Sequence, residues 1–550
     1  MMTQKFQADV IIVGAGLAGM VAAHEAIQRG RRVLMIDQEG PQSLGGQAYW
    51  SLGGLFMVDT PEQRRLGIRD SAELALTDWM GSAQFDRAED ANPRAFAERF
   101  IEWSAGDMRG WLRDLGMRWF PIVGWAERGG AMAGGHGNSV PRFHITWGTG
   151  TGVVAPFAKL MQGYAASGKL CLQFRHRVTA LELTSGAVTG VSGDILQDTD
   201  APRGESTTRA ITGSFHHHAD AVILTTGGIG ADHGLVRKHW PVDRLGQPPR
   251  HMVSGVPDYV DGKMHAIAAQ AGAGLINQDR MWHYCEGIKN WNPIWPNHGI
   301  RILPGPSSVW LDAKGDRMEA PCMPGFDTLA TLKRILQTGD HSWFILTQKI
   351  IEKEFALSGS EQNPDLTDGG WREVLAARLG KGATAAVEMF KDKGEDFVVA
   401  DDLTQLVAGM NRLTPDHRLD PEHLRRQIAA RDGQLANPFA KDAQITAIRG
   451  ARAYRGDKLI RTAKPHAILD ARNGPLIAVR LNILTRKSLG GLHTDLQGRV
   501  LAPDGTVLRG LFAAGEGCGF GGGGYHGYNA LEGTFLGGCL FSGRIAGQNA

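Results

Sequence analysis

With 550 residues, 42% of them hydrophobic and 21% charged, the chain has the composition of a globular protein large enough for two or more domains. Its formal net charge of +2 gives neither nucleic acid nor an anionic membrane a reason to bind, no apolar run reaches the ~18 residues of a membrane span, and no signal peptide is visible, so a cytoplasmic site is expected. The five cysteines, Cys171, Cys285, Cys322, Cys518 and Cys539, stand too far apart for an iron–sulfur cluster or attached haem, whereas 74 glycines point to many close backbone approaches.

The first element predicted is a buried strand, Val10 to Val13, running into a glycine turn and a helix from Leu17 to about Arg29 that Gly30 ends. In the turn Gly14-Ala15-Gly16, Gly14 makes the bend and Gly16 lets the backbone approach a pyrophosphate, while Gly19 lets the helix pack on the strand. A second strand, Arg31 to Asp37, ends on an acid about 20 residues further on, where a ribose hydroxyl would be met. The chain therefore opens on a dinucleotide cradle.

Next comes a glycine-bounded loop, Gly45 to Gly54, suited to lie against a planar ring. Residues 61–115 are charged and helical in pattern and read as a covering insertion. Gly129 to Gly152 carries His136, Asn138, Arg142 and His144, either as a ligand-contacting loop or as a plain one, and an apolar helix follows from Val153 to about Ala166. Strands are expected at 170–174, 178–183 and 219–228 and a helix at 261–275. His216, His217 and His218 alternate across a strand and cannot all face one ion, so no metal is predicted.

From about Asn277 the chain becomes rich in Trp and Pro and then helical and charged, as in Glu422 to Arg431. This marks a second domain, residues 277–446, whose aromatics read as core. Residues 1–276 and 447–550 form the two parts of the first domain. The end returns to glycine: a strand at 475–484, TRKSLGGL at 485–492, a strand at 510–516 stopping on Glu516, and a glycine-lined loop entering the last helix near Gly533. A helix N-terminus there offers N–H groups to an electron-rich carbonyl such as that of a reduced flavin.

DVIIVGAGLAG with Asp37, the paired glycines 45–46 and 53–54, ILTTGG, SLGGL, and LFAAGE before the glycine loop stand in the order of a known family. The chain resembles the FAD flavoproteins of the fumarate reductase and 3-ketosteroid dehydrogenase branch, most of all the steroid-dehydrogenase-like bacterial flavoproteins. The resemblance implies an α/β fold, a Rossmann-like, glutathione-reductase-like FAD-binding domain interrupted by a smaller α+β capping domain, with the active site between them. It places Gly14, Ala15, Gly16 and Gly19 at the pyrophosphate, Asp37 at the adenosine ribose and Val178 at the adenine. Gly46, Gln47, Ser51, Leu52, Gly53, Gly54 and Gly227 fall beside the flavin, Glu516 at the ribityl chain, and the backbone of Leu531, Thr534 and Phe535 at the pyrimidine edge. Gln47 stands where succinate dehydrogenases carry a flavin-bonded histidine, so non-covalent FAD is expected.

Departures from the family bear on the substrate. Where fumarate reductases read H-G-x-N-R-L this chain reads HGYNALEG, with Ala530 for the arginine; where they place a proton-donating arginine it offers Gly325 and Phe326. A dicarboxylate would lose its bidentate partners. YNALEGT matches the spacing of the steroid dehydrogenases' Y-P-G-P-G-G-T, so the resemblance implies that Tyr528 polarises a substrate ketone, helped by the N–H of Glu532. Their tyrosine base is missing; His283, or its neighbour Tyr284, is the expected substitute, with Tyr454 or Lys487 next.

The expected activity is FAD-dependent oxidation or reduction of a CH–CH bond beside a carbonyl of an apolar small molecule. Two alternatives stand beside it: a reductase of unsaturated acids using Arg486 and Lys487, and a non-catalytic flavin-binding protein. With no second G-x-G-x-x-G, no NAD(P)H domain is expected, and no sequence feature identifies the electron acceptor.

Overall fold

The computed structural model describes residues 6–129 and 137–550. Strand β1 (Val10–Val13) is buried along its whole length, and helix α1 (Leu17–Gln28) follows after three residues, as a strand covered on both faces and a tight glycine turn require. Gly30, with φ +85°, closes the helix while the Arg31 N–H returns to the Ala26 carbonyl. Strand β2 (Val33–Ile36) then pairs parallel to β1, Val10 opposite Val33.

Among the described residues β1 and β2 lie in a six-stranded sheet. Leu170–Gln173 pairs with β2, and Ala221–Leu224 with the other side of β1; Val507–Ala513, from the far end of the chain, lies parallel beside Ala221–Leu224. Strands 176–184, 187–196 and 211–218 form a separate antiparallel sheet, and residues 216–218 alternate along the last of them. The predicted helix after Gly129 begins earlier than its apolar run, at Thr149, and ends at Ala166 as expected.

The second large sheet holds eight strands among the described residues. At its middle, strand β3 (Met281–Lys289) pairs antiparallel with strand β4 (Leu476–Ser488). Gly299–Leu303 flanks β3, and His341–Thr347 flanks β4. Because β4 follows residue 446, this sheet is built from chain on both sides of that position. Helix α2 (Thr534–Asn549) packs along α1, with Gly543 and Gly547 admitting the α1 backbone. The helices of the 61–115 insertion cover its outer side, where Phe96 and Phe100 meet Phe541 edge-on and Trp103 stacks on it, at 5.2–5.8 Å. One hydrophobic core runs from α1 and α2 into the second sheet. No helix among the described residues is long and apolar enough to cross a membrane.

Candidate active site

A cleft of about 380 Å³ begins at the N-terminus of α1 and ends against the second sheet. At its start the three glycines differ in what surrounds them. A Cβ at Gly14 would stand 2.6 Å from the Thr225 carbonyl oxygen, and one at Gly19 only 2.1 Å from the Gly14 carbonyl oxygen, so both serve strand–helix packing. Gly16 caps α1 in extended backbone, φ −73° and ψ 179°, with no side-chain partner, and a Cβ there would meet nothing nearer than 4.0 Å. The open position, lined by backbone and facing unsatisfied N–H groups, suits a pyrophosphate. Asp37 accepts the Ala15 N–H at 2.7 Å and the Glu39 N–H at 2.8 Å, while burial pushes its carboxyl up to about 6. Val178 lines the same end.

Further in, Gly46, Ser51, Leu52, Gly53, Gly54 and Gly227 line the cleft. Gly53, with φ +74°, lies so close to Thr149 that a Cβ would sit 2.4 Å from its carbonyl carbon. Gln47 donates to Glu516 Oε2 at 3.0 Å and accepts from Lys487 Nζ at 2.6 Å; Glu516 Oε1 accepts the Ser488 N–H at 2.9 Å. Lys487 is thereby tied down, and burial depresses its ammonium pKa. Helix α2 starts at Gly533 without a side-chain cap and presents Gly533 and Phe535 to the cleft. Leu531 and Thr534 stand behind that surface, the Thr534 hydroxyl donating to the Leu531 carbonyl and meeting His526 Nε2 at 2.7 Å. Ala15 and Gly19 likewise act through packing and the Asp37 contact rather than by lining the cleft.

The far end is a chamber formed by Tyr284, Arg301, Leu303 and Ser358 of the second sheet region, with Arg486 and Glu532. The Arg301 guanidinium lies 3.9 Å from the centre of the Tyr284 ring and pairs with Glu532 at 2.5 Å, with Glu286 at 3.6 Å and Glu127 at 4.0 Å beyond. Burial raises the carboxyls of Glu127 and Glu286, and it works against the Arg301 charge until Glu532 and its neighbours outweigh it. Burial and Glu532 raise the Tyr284 phenol, opposed by Arg301 and Arg486.

Two expected catalytic residues lie elsewhere. Successive side chains of a strand face opposite ways: Tyr284 lines the cleft, whereas His283 turns to the other side of β3, its ring 4.9 Å from that of Trp240 and its pKa pulled down to about 3 by burial. Tyr528 is half-buried outside the cleft. Its ring lies 4.0 Å from the Arg280 guanidinium and 4.6 Å from that of Arg244, and its hydroxyl donates to Asp86 at 3.0 Å.

Tyr454 donates to the Val123 carbonyl at 2.6 Å, away from the cleft. His136 lies outside the described residues. Arg142 is buried between Asp70 and Asp78 and His144 bonds Thr60, so these two, with Asn138 beside Arg142, form a structural network.

Arg301 was not anticipated. Its one sequence signal is a charge inside the apolar strand GIRIL, whose five residues are all buried. Glu361 was also missed: Oε2 has no partner, and burial pushes its carboxyl up to about 7 against the opposing influence of Arg486.

Residues 9–536 match the model of the FAD binding domain family. A KsdD-like steroid dehydrogenase of Mycobacterium tuberculosis (strain CDC 1551 / Oshkosh) is 57% identical over 544 residues, covering 99% of this chain and 95% of the relative. One from Mycolicibacterium smegmatis is 58% identical over 530 residues, 96% of each. A solved 3-ketosteroid Δ1-dehydrogenase from Sterolibacterium denitrificans, in complex with 1,4-androstadiene-3,17-dione, shares the fold with a TM-score of 0.66 over 99% of both chains at 16% identity. The chain therefore belongs to the FAD binding domain family and, as a close relative of the KsdD-like steroid dehydrogenases, is an FAD-dependent oxidoreductase.

Proposed function

We propose that the chain removes hydrogen from a CH–CH bond next to a carbonyl, or adds it in the reverse direction, on an uncharged and largely apolar substrate such as a 3-ketosteroid, in the cytoplasm. The observation that carries the substrate class is the state of the cations around the cleft. Arg301 is neutralised by Glu532, Lys487 is held by Glu516 and Gln47, Arg177 by Asp194 and Lys263 by Asp261. Arg486 alone, among the described residues lining the cleft, is a cation with neither a hydrogen bond nor an ion pair. A dicarboxylate would need a charge-assisted partner at both ends; one free guanidinium suits one polar oxygen on an apolar body.

Bound FAD supplies the two-electron acceptor for hydride leaving the β-carbon. Gly16 and the α1 N–H groups hold its pyrophosphate, Asp37 its ribose, and Glu516 its ribityl chain, with the α2 N-terminus at the pyrimidine edge. The cofactor is held without a covalent link: both ends of the Gln47 amide are engaged by Glu516 and Lys487, and an amide is no nucleophile. Tyr284 exchanges the α-proton. A phenolate at that position gains from the cation 3.9 Å from its ring, which offsets part of the cost of burial.

The test is turnover of a panel of 3-ketosteroids with an artificial electron-accepting dye. Products lighter by two hydrogens support the reading; turnover of unsaturated dicarboxylates alone would replace it.

A further inference from the structure

We propose that Arg486 is the catalytic donor that binds the substrate's carbonyl oxygen, the role Tyr528 cannot fill from outside the cleft; the inference rests on the ketone reading above. The backbone singles Arg486 out. Along the β3–β4 pair, Trp282 faces Lys487 but His283 faces Thr485, so Arg486 is the extra residue of a bulge. Adjacent residues of a regular strand point to opposite faces, yet Arg486 and Lys487 both line the cleft. A bulge re-aims side chains in this way.

The surroundings make room for the re-aimed side chain. A Cβ on Gly255 would meet Leu484 Cδ2 at 2.6 Å and then the Arg486 stem, 3.2 Å from Cδ and 3.3 Å from Cγ, and one on Gly230 would stand 2.7 Å from the Arg486 carbonyl oxygen. Two glycines thus flank the residue, one against its stem and one against its backbone. The charged and titratable groups that feel the guanidinium are Tyr284, His298, Glu361 and Lys487, and none comes within hydrogen-bond or ion-pair distance. A guanidinium carries five N–H donors, and buried or half-buried donors are normally satisfied. This one is left with its donors free beside Tyr284.

As the α-proton passes to the base, negative charge moves onto the ketone oxygen. A pre-placed guanidinium stabilises that charge by hydrogen bonding and gives up no proton itself. The electron pair of the α-C–H bond becomes the new C=C bond as hydride leaves the β-carbon, for which FAD, when bound, would be the two-electron acceptor.

The experiment measures anaerobic flavin reduction of the FAD-loaded enzyme by 4-androstene-3,17-dione and by 5α-androstane-3,17-dione, for wild type, Arg486→Ala and Gly255→Ala. Arg486→Ala should retain FAD and reduce about 10²- to 10³-fold more slowly, as for loss of one oxyanion donor, and added guanidinium ion should restore part of the rate. Gly255→Ala, which crowds Leu484 and behind it the Arg486 stem, should slow reduction too. Reduction of Arg486→Ala within about threefold of wild type would overturn the inference and leave the ketone reading standing. A wild-type enzyme that neither ketone reduces would overturn both. If Arg486→Ala loses its FAD, Gly255→Ala decides: slowed reduction in a variant that melts at the wild-type temperature and keeps its FAD supports the donor role, and a wild-type rate removes it.

Discussion

Replacing Gly16 and Gly19 by alanine should separate cofactor binding from folding, although the two glycines are three residues apart in one turn. At Gly19 the new methyl would sit 2.1 Å from the Gly14 carbonyl oxygen and 2.7 Å from Thr225 Oγ1. The first of these is backbone, so α1 must lift from β1; overpacking of this kind costs about 1–3 kcal/mol or more, and it falls on the apoprotein. At Gly16 the backbone is in a region open to any residue, and the methyl meets only the Thr225 carbonyl oxygen at 4.0 Å.

Apo Gly16→Ala should therefore melt close to the wild-type temperature. The methyl instead occupies the space of the pyrophosphate; the same ~1–3 kcal/mol applied to binding is roughly a 5- to 150-fold weaker Kd, and valine there should abolish binding. Thermal unfolding of the apoproteins and titration with FAD, followed by quenching of flavin fluorescence, measure both. The reasoning is refuted if apo Gly16→Ala is destabilised as much as apo Gly19→Ala, or if it binds FAD like wild type.

Acid precipitation of the purified holoenzyme should release all its FAD intact, and yellow colour retained in the washed pellet would contradict the role given to Gln47. Tyr284→Phe should slow flavin reduction by about 10²- to 10⁴-fold, the usual effect of losing a general base, while Tyr528→Phe and His283→Gln stay within about threefold because neither side chain reaches the cleft. In the wild type the reduction rate should keep rising with pH above neutrality, since burial raises the Tyr284 phenol; a single step at pH 6 to 7 would return the role to a histidine.

Burial holds His144 at about 4 and His283 and His298 at about 3. These folded-state values are depressed below the unfolded one, so the unfolded chain takes up protons first. Stability is fully present above about pH 6.5 and falls as pH drops from there toward 3. Denaturant melts across that range check it, and a midpoint that does not fall between pH 6.5 and 4 would contradict it.

The first strand, turn and helix were legible because each part answers a local demand: a buried run for β1, glycines where backbone meets backbone or leaves the cleft open, an acid at the end of β2. The far end of the cleft was not, because it is assembled from distant chain. Tyr284 faces the cleft on β3, whose partner β4 begins at residue 476, and Arg301 takes its counter-charges from Glu127, Glu286 and Glu532. His283 and Tyr284 differ by one residue of register, and β3 carries two irregularities, after Trp282 and after Tyr284, that spacing alone does not reveal. Tyr528 matched a motif in spacing only. In this chain the left-handed Gly527, φ +59°, leads into a turn whose Tyr528 ring faces the arginines.

The most direct test of the central claim is anaerobic titration of the oxidised holoenzyme with 3-ketosteroids and, separately, of the reduced holoenzyme with fumarate. Loss of the flavin's visible absorbance with a ketosteroid, and no reoxidation by fumarate, is the result predicted here; unbleached flavin with every ketosteroid and full reoxidation by fumarate would contradict it.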